Sequence, residues 1–89
     1  MNKHFDVALT VEFHYDPEKV DPLYYYEDGK KLWRTAGIYD IFDEDATWKH
    51  LVYNAIVNGV VDASSLDGWG DLERGELTMR VVIDDMDVH

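Results

Sequence analysis

The stretch FDVALTVEFHY, residues 5–15, alternates between large apolar side chains and smaller or polar ones. Its odd positions carry Phe, Val, Leu, Val, Phe and Tyr, and its even positions carry Asp, Ala, Thr, Glu and His. Strict alternation over this length is typical of a β-strand that buries one face. The sequence therefore predicts a first strand with its odd side chains in the core, ended by Asp16-Pro17.

A β-hairpin is predicted next, in the stretch LYYYEDGKKLW at residues 23–33. Asp28-Gly29 suits the central positions of a type I′ turn, because both positions need positive φ. The turn sets four opposed pairs, interpreted as an ion pair, a cation–π contact, an aromatic–aliphatic pair and an aromatic pair: Glu27 with Lys30, Tyr26 with Lys31, Tyr25 with Leu32, and Tyr24 with Trp33. The second strand is expected to continue through residues 38–41, and a helix over 28–36 is the competing interpretation.

A helix is predicted after the hairpin. Asp43-Glu44-Asp45 supplies a capping residue and negative charge for the positive end of the helix dipole. An apolar stripe at helical spacing follows, and Gly59 is placed to end the helix in the left-handed conformation. The stripe consists of Trp48, Leu51, Val52, Ala55 and Ile56.

The last element is a second alternating strand, at residues 76–83, after a glycine-containing loop. Leu77, Met79, Val81 and Ile83 would share one face, which would also carry Asp85 and Asp87 farther along. Because burying those carboxylates is costly, the strand is expected to leave the core after Ile83. We predict a single α+β domain over residues 1–89, with a mostly antiparallel sheet of about four strands packed on one main helix in two layers.

Composition limits the possible functions. The chain has 89 residues, a formal net charge of -11 and no cysteine. The absence of cysteine excludes disulfides, zinc–thiolate sites and thiol nucleophiles, and favours a cytoplasmic protein. No segment has the roughly 18 apolar residues of a membrane helix. Direct binding to nucleic acid or to anionic lipid is disfavoured, because phosphates are bound by Lys and Arg.

No motif indicates catalysis, a cofactor or a metal. His4, His14, His50 and His89 lack metal-ligand spacing and are expected to be solvated. Ser64-Ser65 lies outside any nucleophile elbow. The stretch DASSLDGWGDLE, residues 62–73, fails the calcium-loop pattern at its fifth and sixth positions. We therefore expect no catalytic residue, no metal site and no cofactor.

Aromatic and acidic groups remain as candidates for binding a protein, because tyrosine and tryptophan are enriched in interface hot spots. The candidates are Tyr24, Tyr26 and Trp33 on one hairpin face, Asp40, Asp43, Glu44 and Asp45 at the helix start, and Asp84, Asp85 and Asp87 near the carboxyl end. In size and charge, though not in motif, the chain resembles phage-encoded inhibitors such as anti-restriction and anti-CRISPR proteins.

Two functional hypotheses follow. In the first, the protein is a non-enzymatic inhibitor whose negative surface blocks a basic nucleic-acid-handling protein, with the tyrosines as anchors. In the second, it is a structural or assembly module that forms a homo-oligomer, such as a homodimer, or docks in a larger complex. An enzyme acting on small molecules would need a pocket that joins His14 or His50 to carboxylates.

Overall fold

The computed structural model describes residues 2–34 and 43–88, with the side chains of residues 87 and 88 outside the description. Within these described residues, four strands, one α-helix and a short 3-10 helix follow each other. They are β1 (Phe5–Tyr15), β2 (Tyr24–Glu27), β3 (Lys30–Trp33), α1 (Glu44–Val57), the 3-10 helix Ala63–Ser65 and β4 (Leu77–Val88). The predicted extension of β3 through residues 38–41 lies outside the described residues.

The α+β class is confirmed, with the four strands divided between two antiparallel sheets. β1 pairs with β4, which follows it by more than sixty residues, and β2 pairs with β3 in the predicted hairpin. α1 contacts β4, so one end of the β1–β4 ribbon and the helix form two layers. The Cα radius of gyration is 15.5 Å, whereas a compact domain of this length has about 12 Å. The molecule is therefore elongated, with principal extents of 58, 26 and 19 Å.

The core lies at one end of the β1–β4 ribbon. Leu77 and Met79 of β4 are buried against Leu51 and Ala55 of α1, and Trp69 from the following loop is fully buried with them. The other buried members are Val20, Ala63 and Leu72, with Val11, Phe13, Trp48, Val60 and Leu66 partly buried around them. The sequence predicted only a glycine-containing loop between the helix and the last strand. In the structure, residues 60–76 of this segment supply much of the core.

The helix begins and ends as predicted. The carboxylate of Asp43 accepts a hydrogen bond of 2.7 Å from the amide of Ala46, and Gly59 follows the last turn with φ of +65°. The predicted apolar stripe is wrong at one position, because the side chain of Ile56 is 43% exposed instead of facing the core. Thr47 takes a buried position instead, and its hydroxyl donates to the Asp43 carbonyl at 2.8 Å, which satisfies its polar atom.

The hairpin has the predicted turn and register. Asp28 and Gly29 have φ of 51° and 76°, and Tyr24 lies opposite Trp33 with ring centroids 4.3 Å apart. The cation–π contact differs from the prediction: the Lys31 ammonium lies 3.7 Å from the centroid of the Tyr24 ring. Tyr24 is the diagonal neighbour of Lys31, and long side chains readily reach diagonal positions across a strand pair.

A β-bulge changes the predicted end of β4. Leu9 pairs with Ile83 but Ala8 pairs with Asp85, so Asp84 is an extra residue on β4. One extra residue reverses which face the following side chains occupy. Asp85 therefore shares the face of Ala8, while Met86 shares the apolar face of Val7. With no carboxylate forced onto the apolar face, β4 continues to Val88 instead of ending at Ile83.

The prediction that the odd side chains of β1 are buried is wrong for the first half of the strand and for Tyr15 at its end, which is 36% exposed. Phe5 is 53% exposed, and Val7 and Leu9 are also exposed. The physical reason is length: a helix of 14 residues spans about 21 Å, whereas an 11-residue strand spans about 36 Å. α1 covers only the end of the ribbon nearest the core, so the other end extends beyond it.

Candidate protein-binding surfaces

The hairpin holds the predicted aromatic residues, and they differ in exposure. Tyr26 is 67% exposed, while Tyr24 and Trp33 are half-buried against each other. Tyr25 points to the other face, where the Arg34 guanidinium carbon lies 5.9 Å from its ring centroid. Of the three predicted anchors, Tyr26 is the one that offers most of its ring to a partner.

Arg34 attaches the hairpin to the rest of the molecule. Its guanidinium is buried, donates a 2.7 Å hydrogen bond from Nε to the carbonyl of Asp21, and forms an ion pair with Asp71. Its amide donates to the Leu23 carbonyl at 3.1 Å, next to the last hairpin pair. Arg34 therefore holds the base of the hairpin between the segments around Asp21 and Asp71.

The acidic helix start combines a structural role with an exposed charge. Asp43 is the helix cap, so its carboxylate already has a partner in the amide of Ala46. Glu44 and Asp45 are exposed in the first turn, where Lys49 is the nearest base along the helix. Asp40, the fourth predicted member of this group, lies outside the described residues.

The second acidic group lies on the distal end of the β1–β4 ribbon. We call this end the arm, defined as residues 5–10 of β1 with residues 81–88 of β4. Asp84, at the bulge, accepts a hydrogen bond from the Thr10 hydroxyl, and Asp85 is exposed on the same face as Ala8. Asp87 is paired in register with Asp6, and its side chain is not described.

The arm also carries an apolar face that sequence reasoning assigned to the core. The exposed side chains on this face are Phe5, Val7, Leu9, Val81, Ile83 and Met86. The mismatch in length between one short helix and two long strands was present in the sequence and could have revealed this surface. The bulge could not be read in the same way, because its position depends on the register of β1 against β4.

Ion pairs engage two of the three arginines, which could otherwise offset the acidic groups. Arg34 pairs with Asp71, and Arg80 pairs with Glu12 at 2.7 Å. Within the described residues, Glu44, Asp45, Asp84 and Asp85 form no ion pair with Lys or Arg. The excess negative charge is therefore displayed at the helix start and on the arm, on two different elements.

The polar groups that could suggest catalysis have structural partners. The Ser64 hydroxyl and amide donate to Asp62 at 2.8 and 3.0 Å, so Asp62 caps the 3-10 helix. Burial alone would raise the pKa of Asp62. The hydrogen bonds from Ser64 and from the Gly75 amide, together with the charge of Arg74, lower that pKa below its usual value.

Three of the four histidines lie within the described residues, and His89 lies outside them. His4 and His14 are exposed as predicted, and His14 lies 3.7 Å from Glu12. His50 departs from the prediction because it is half-buried on α1, and burial lowers its pKa. Across residues 2–34 and 43–88, no group of three or more His, Asp or Glu side chains could hold a metal ion.

Comparison with family models, with curated proteins and with solved structures finds no match to this chain. Within the described part of the chain, none of the helices has the length and apolar character needed to cross a membrane.

Proposed function

We propose that this protein is a non-enzymatic inhibitor that binds the basic surface of a nucleic-acid-handling protein in the cytoplasm. The observation that carries the proposal is the display of exposed carboxylates at the helix start and on the arm, while two arginines are engaged elsewhere. Carboxylates presented in this way can replace phosphates at a surface rich in Lys and Arg. The resemblance in size and charge to phage-encoded inhibitors supports the same role.

The mechanism separates into two contributions. Complementary charge speeds the encounter and selects for basic partners, and this contribution weakens as salt rises. Exposed Tyr26 then provides an amphipathic ring for a close contact, which lengthens the residence time. The inhibitor would exclude nucleic acid by occupying the same basic surface.

The test is affinity capture from host lysate at low salt, followed by washes of rising salt and identification by mass spectrometry. We expect a nucleic-acid-binding protein that elutes as salt rises and that is displaced by added double-stranded DNA. Capture that survives both high salt and added DNA would contradict the electrostatic mechanism.

A pair of charge-matched variants makes the test specific to the acidic groups. The test variant carries Glu44→Gln, Asp45→Asn and Asp85→Asn, and the control variant carries Glu18→Gln, Asp67→Asn and Glu73→Gln. Both lose three exposed carboxylates, so the net charge changes equally. We expect the test variant to lose capture and the control to retain it, and equal behaviour of the two would rule out these groups as the binding surface.

A further inference from the structure

The arm has a two-sided construction that separates apolar from acidic side chains. Opposed residues of an antiparallel pair share a face, and the register places Leu9 with Ile83, and Val7 with Met86. Ala8 and Asp85 occupy the other face, where Asp84 accepts a hydrogen bond from Thr10. No charged residue interrupts the apolar face between Leu9 and Met86 on the described strands.

This apolar face continues the core surface of the ribbon. Met79 and Leu77 lie on the same face as Val81 and Ile83, two and four residues farther along β4, and they are buried by α1. Val81 and Met79 also line a groove with Val60 and Val61, between β4 and the end of α1, although polar side chains such as Arg80 lie along it as well. The exposed face is thus a continuation of the core that lacks a second layer.

An uncovered two-stranded ribbon is a marginal structure in water. Its six apolar side chains are each between 38% and 59% exposed, which corresponds to roughly 500 Å² of apolar surface in one patch. That value is near the upper end of what monomers expose, and patches of this size commonly mark interaction sites. The arm therefore needs a partner that supplies an apolar layer of similar length.

We propose that the partner is a second copy of this chain, whose arm packs face to face on the first in a symmetric dimer. Two such apolar faces bury roughly 1,000 Å² in total, which is about the lower limit for a biological interface. An aliphatic face is complementary to itself, as a two-fold interface requires. The inference stands on the apolar face alone and is independent of the proposed inhibitor function.

The charge distribution agrees with this arrangement. Two chains that each carry a net charge of -11 repel each other. With the apolar faces together, Asp85 of each copy lies on the outer side of its ribbon, as far from the partner arm as this element allows. The remaining repulsion is screened by salt, so dimerisation strengthens as salt rises. A complex with a basic partner responds in the opposite direction, which distinguishes the two interactions.

The first experiment measures the mass in solution by sedimentation equilibrium at micromolar concentration and above. We expect twice the chain mass of 10.4 kDa, with a larger dimer fraction at high salt. A chain that stays monomeric at high salt, up to the highest concentration at which it is soluble, would overturn the proposal.

Two lysine substitutions locate the interface, at positions whose native side chains are equally exposed. Ile83 on the arm and Tyr53 on the outer side of α1 are both 59% exposed. Each substitution to lysine lowers the net negative charge by one, so neither adds repulsion between copies. We expect Ile83→Lys to weaken dimerisation by about tenfold or more, because a buried unpaired charge is costly. Tyr53→Lys should leave it unchanged, and a dimer unaffected by Ile83→Lys would contradict the assignment.

Cross-linking tests the geometry even if Ile83→Lys fails to fold. The chain has no cysteine, so a single one can be placed on either side of the arm. Leu9→Cys lies on the apolar face and Ala8→Cys on the opposite face, one residue away. Packed sheets lie about 10 Å apart, so a bis-maleimide of that length should link Leu9→Cys into a dimer far more than Ala8→Cys. Equal linking at both positions would disprove face-to-face packing.

Discussion

At the scale of single residues, two arginine–carboxylate pairs show how burial decides the role of a charge. Arg34 pairs with Asp71 with its side chain 5% exposed, whereas Arg80 pairs with Glu12 with its side chain 68% exposed. The buried guanidinium also holds the carbonyl of Asp21. Removing it breaks two charge-assisted hydrogen bonds made by a buried guanidinium, whereas removing the exposed one returns solvated groups to water.

We therefore expect Arg34→Met to lower the free energy of unfolding by about 2–3 kcal/mol. Arg80→Met, the matched control, should cost less than about 1 kcal/mol. Urea denaturation followed by tryptophan fluorescence measures both values. Similar losses in the two variants would show that Arg34 does not anchor the hairpin as its contacts indicate.

Asp62 provides a pH-dependent contribution to stability. Its carboxylate accepts from the Ser64 hydroxyl and amide and from the Gly75 amide at 2.8 Å, and its pKa is lowered. A group whose pKa is lower in the folded state stabilises the protein above its ordinary pKa of 3.8. That stabilisation is lost as the pH falls through the lowered folded-state value.

Asp62→Ala should cost about 1–2 kcal/mol at neutral pH, the usual range for losing a cap. The difference from the wild type should persist at pH 5 and shrink below about pH 4, as the wild-type carboxylate takes up a proton. Denaturation curves across this pH range provide the measurement, with Asp67→Ala as a control that removes a carboxylate from the same loop. A difference that is constant down to pH 2 would argue against the charged carboxylate as the source.

At the scale of elements, the sequence predicted local structure well. The bounds of β1, the register of the hairpin and the capping of α1 by an acidic residue all follow from short-range patterns. Each depends on residues within a few positions of one another, and a turn or a cap selects its own residue types. Burial of the arm was predicted wrongly because burial depends on which other element lies above it.

The hairpin turn allows a test of backbone conformation without side-chain contacts. An added Cβ at Gly29 or at Gly70 would meet no atom within 4 Å, but only Gly29 of the two has a φ in the left-handed region, at +76°. We expect Gly29→Ala to lower stability by about 1 kcal/mol, because a side chain disfavours positive φ. Gly70→Ala should be neutral or slightly stabilising, since it reduces the freedom of the unfolded chain. Thermal or urea denaturation of both variants checks the contrast, and equal effects would contradict a type I′ turn.

At the scale of the whole molecule, the net charge of -11 works against the folded state. Within the described residues, only two arginines form ion pairs with carboxylates. Salt screens both the repulsion between carboxylates and the attraction within these pairs, and the repulsion is the larger of the two. Added NaCl should therefore raise the free energy of unfolding of the monomer. The free energy of unfolding should be measured at a protein concentration where sedimentation shows no dimer, because association would also stabilise the fold.

The variant with Glu44→Gln, Asp45→Asn and Asp85→Asn supplies the control for this prediction. Its net charge is lower in magnitude, so its stability should respond less steeply to salt. A wild-type stability that falls as salt rises would show that attractive pairs outweigh the repulsion.

The candidate binding surfaces also combine features set by neighbouring residues with features set by contacts between distant segments of the chain. Alternation along the hairpin places Tyr24 and Tyr26 on the face opposite Tyr25, whereas the exposure of Tyr26 is decided by the surrounding structure. The structural role of Asp43 also follows from its position before the helix. The apolar face of the arm required knowing that β1 pairs with β4, which lies more than sixty residues away.

The sequence alone determined the bounds of β1, the hairpin register, the acidic cap of the helix and the acidic character of this protein, because each arises from neighbouring residues or from composition. Only the tertiary structure decided the pairing of β1 with β4, the bulge at Asp84 and the exposure of the arm. These features depend on contacts between distant segments and on the limited length of α1. The same alternating pattern that fills the core near Met79 is consequently left open to a partner near Ile83.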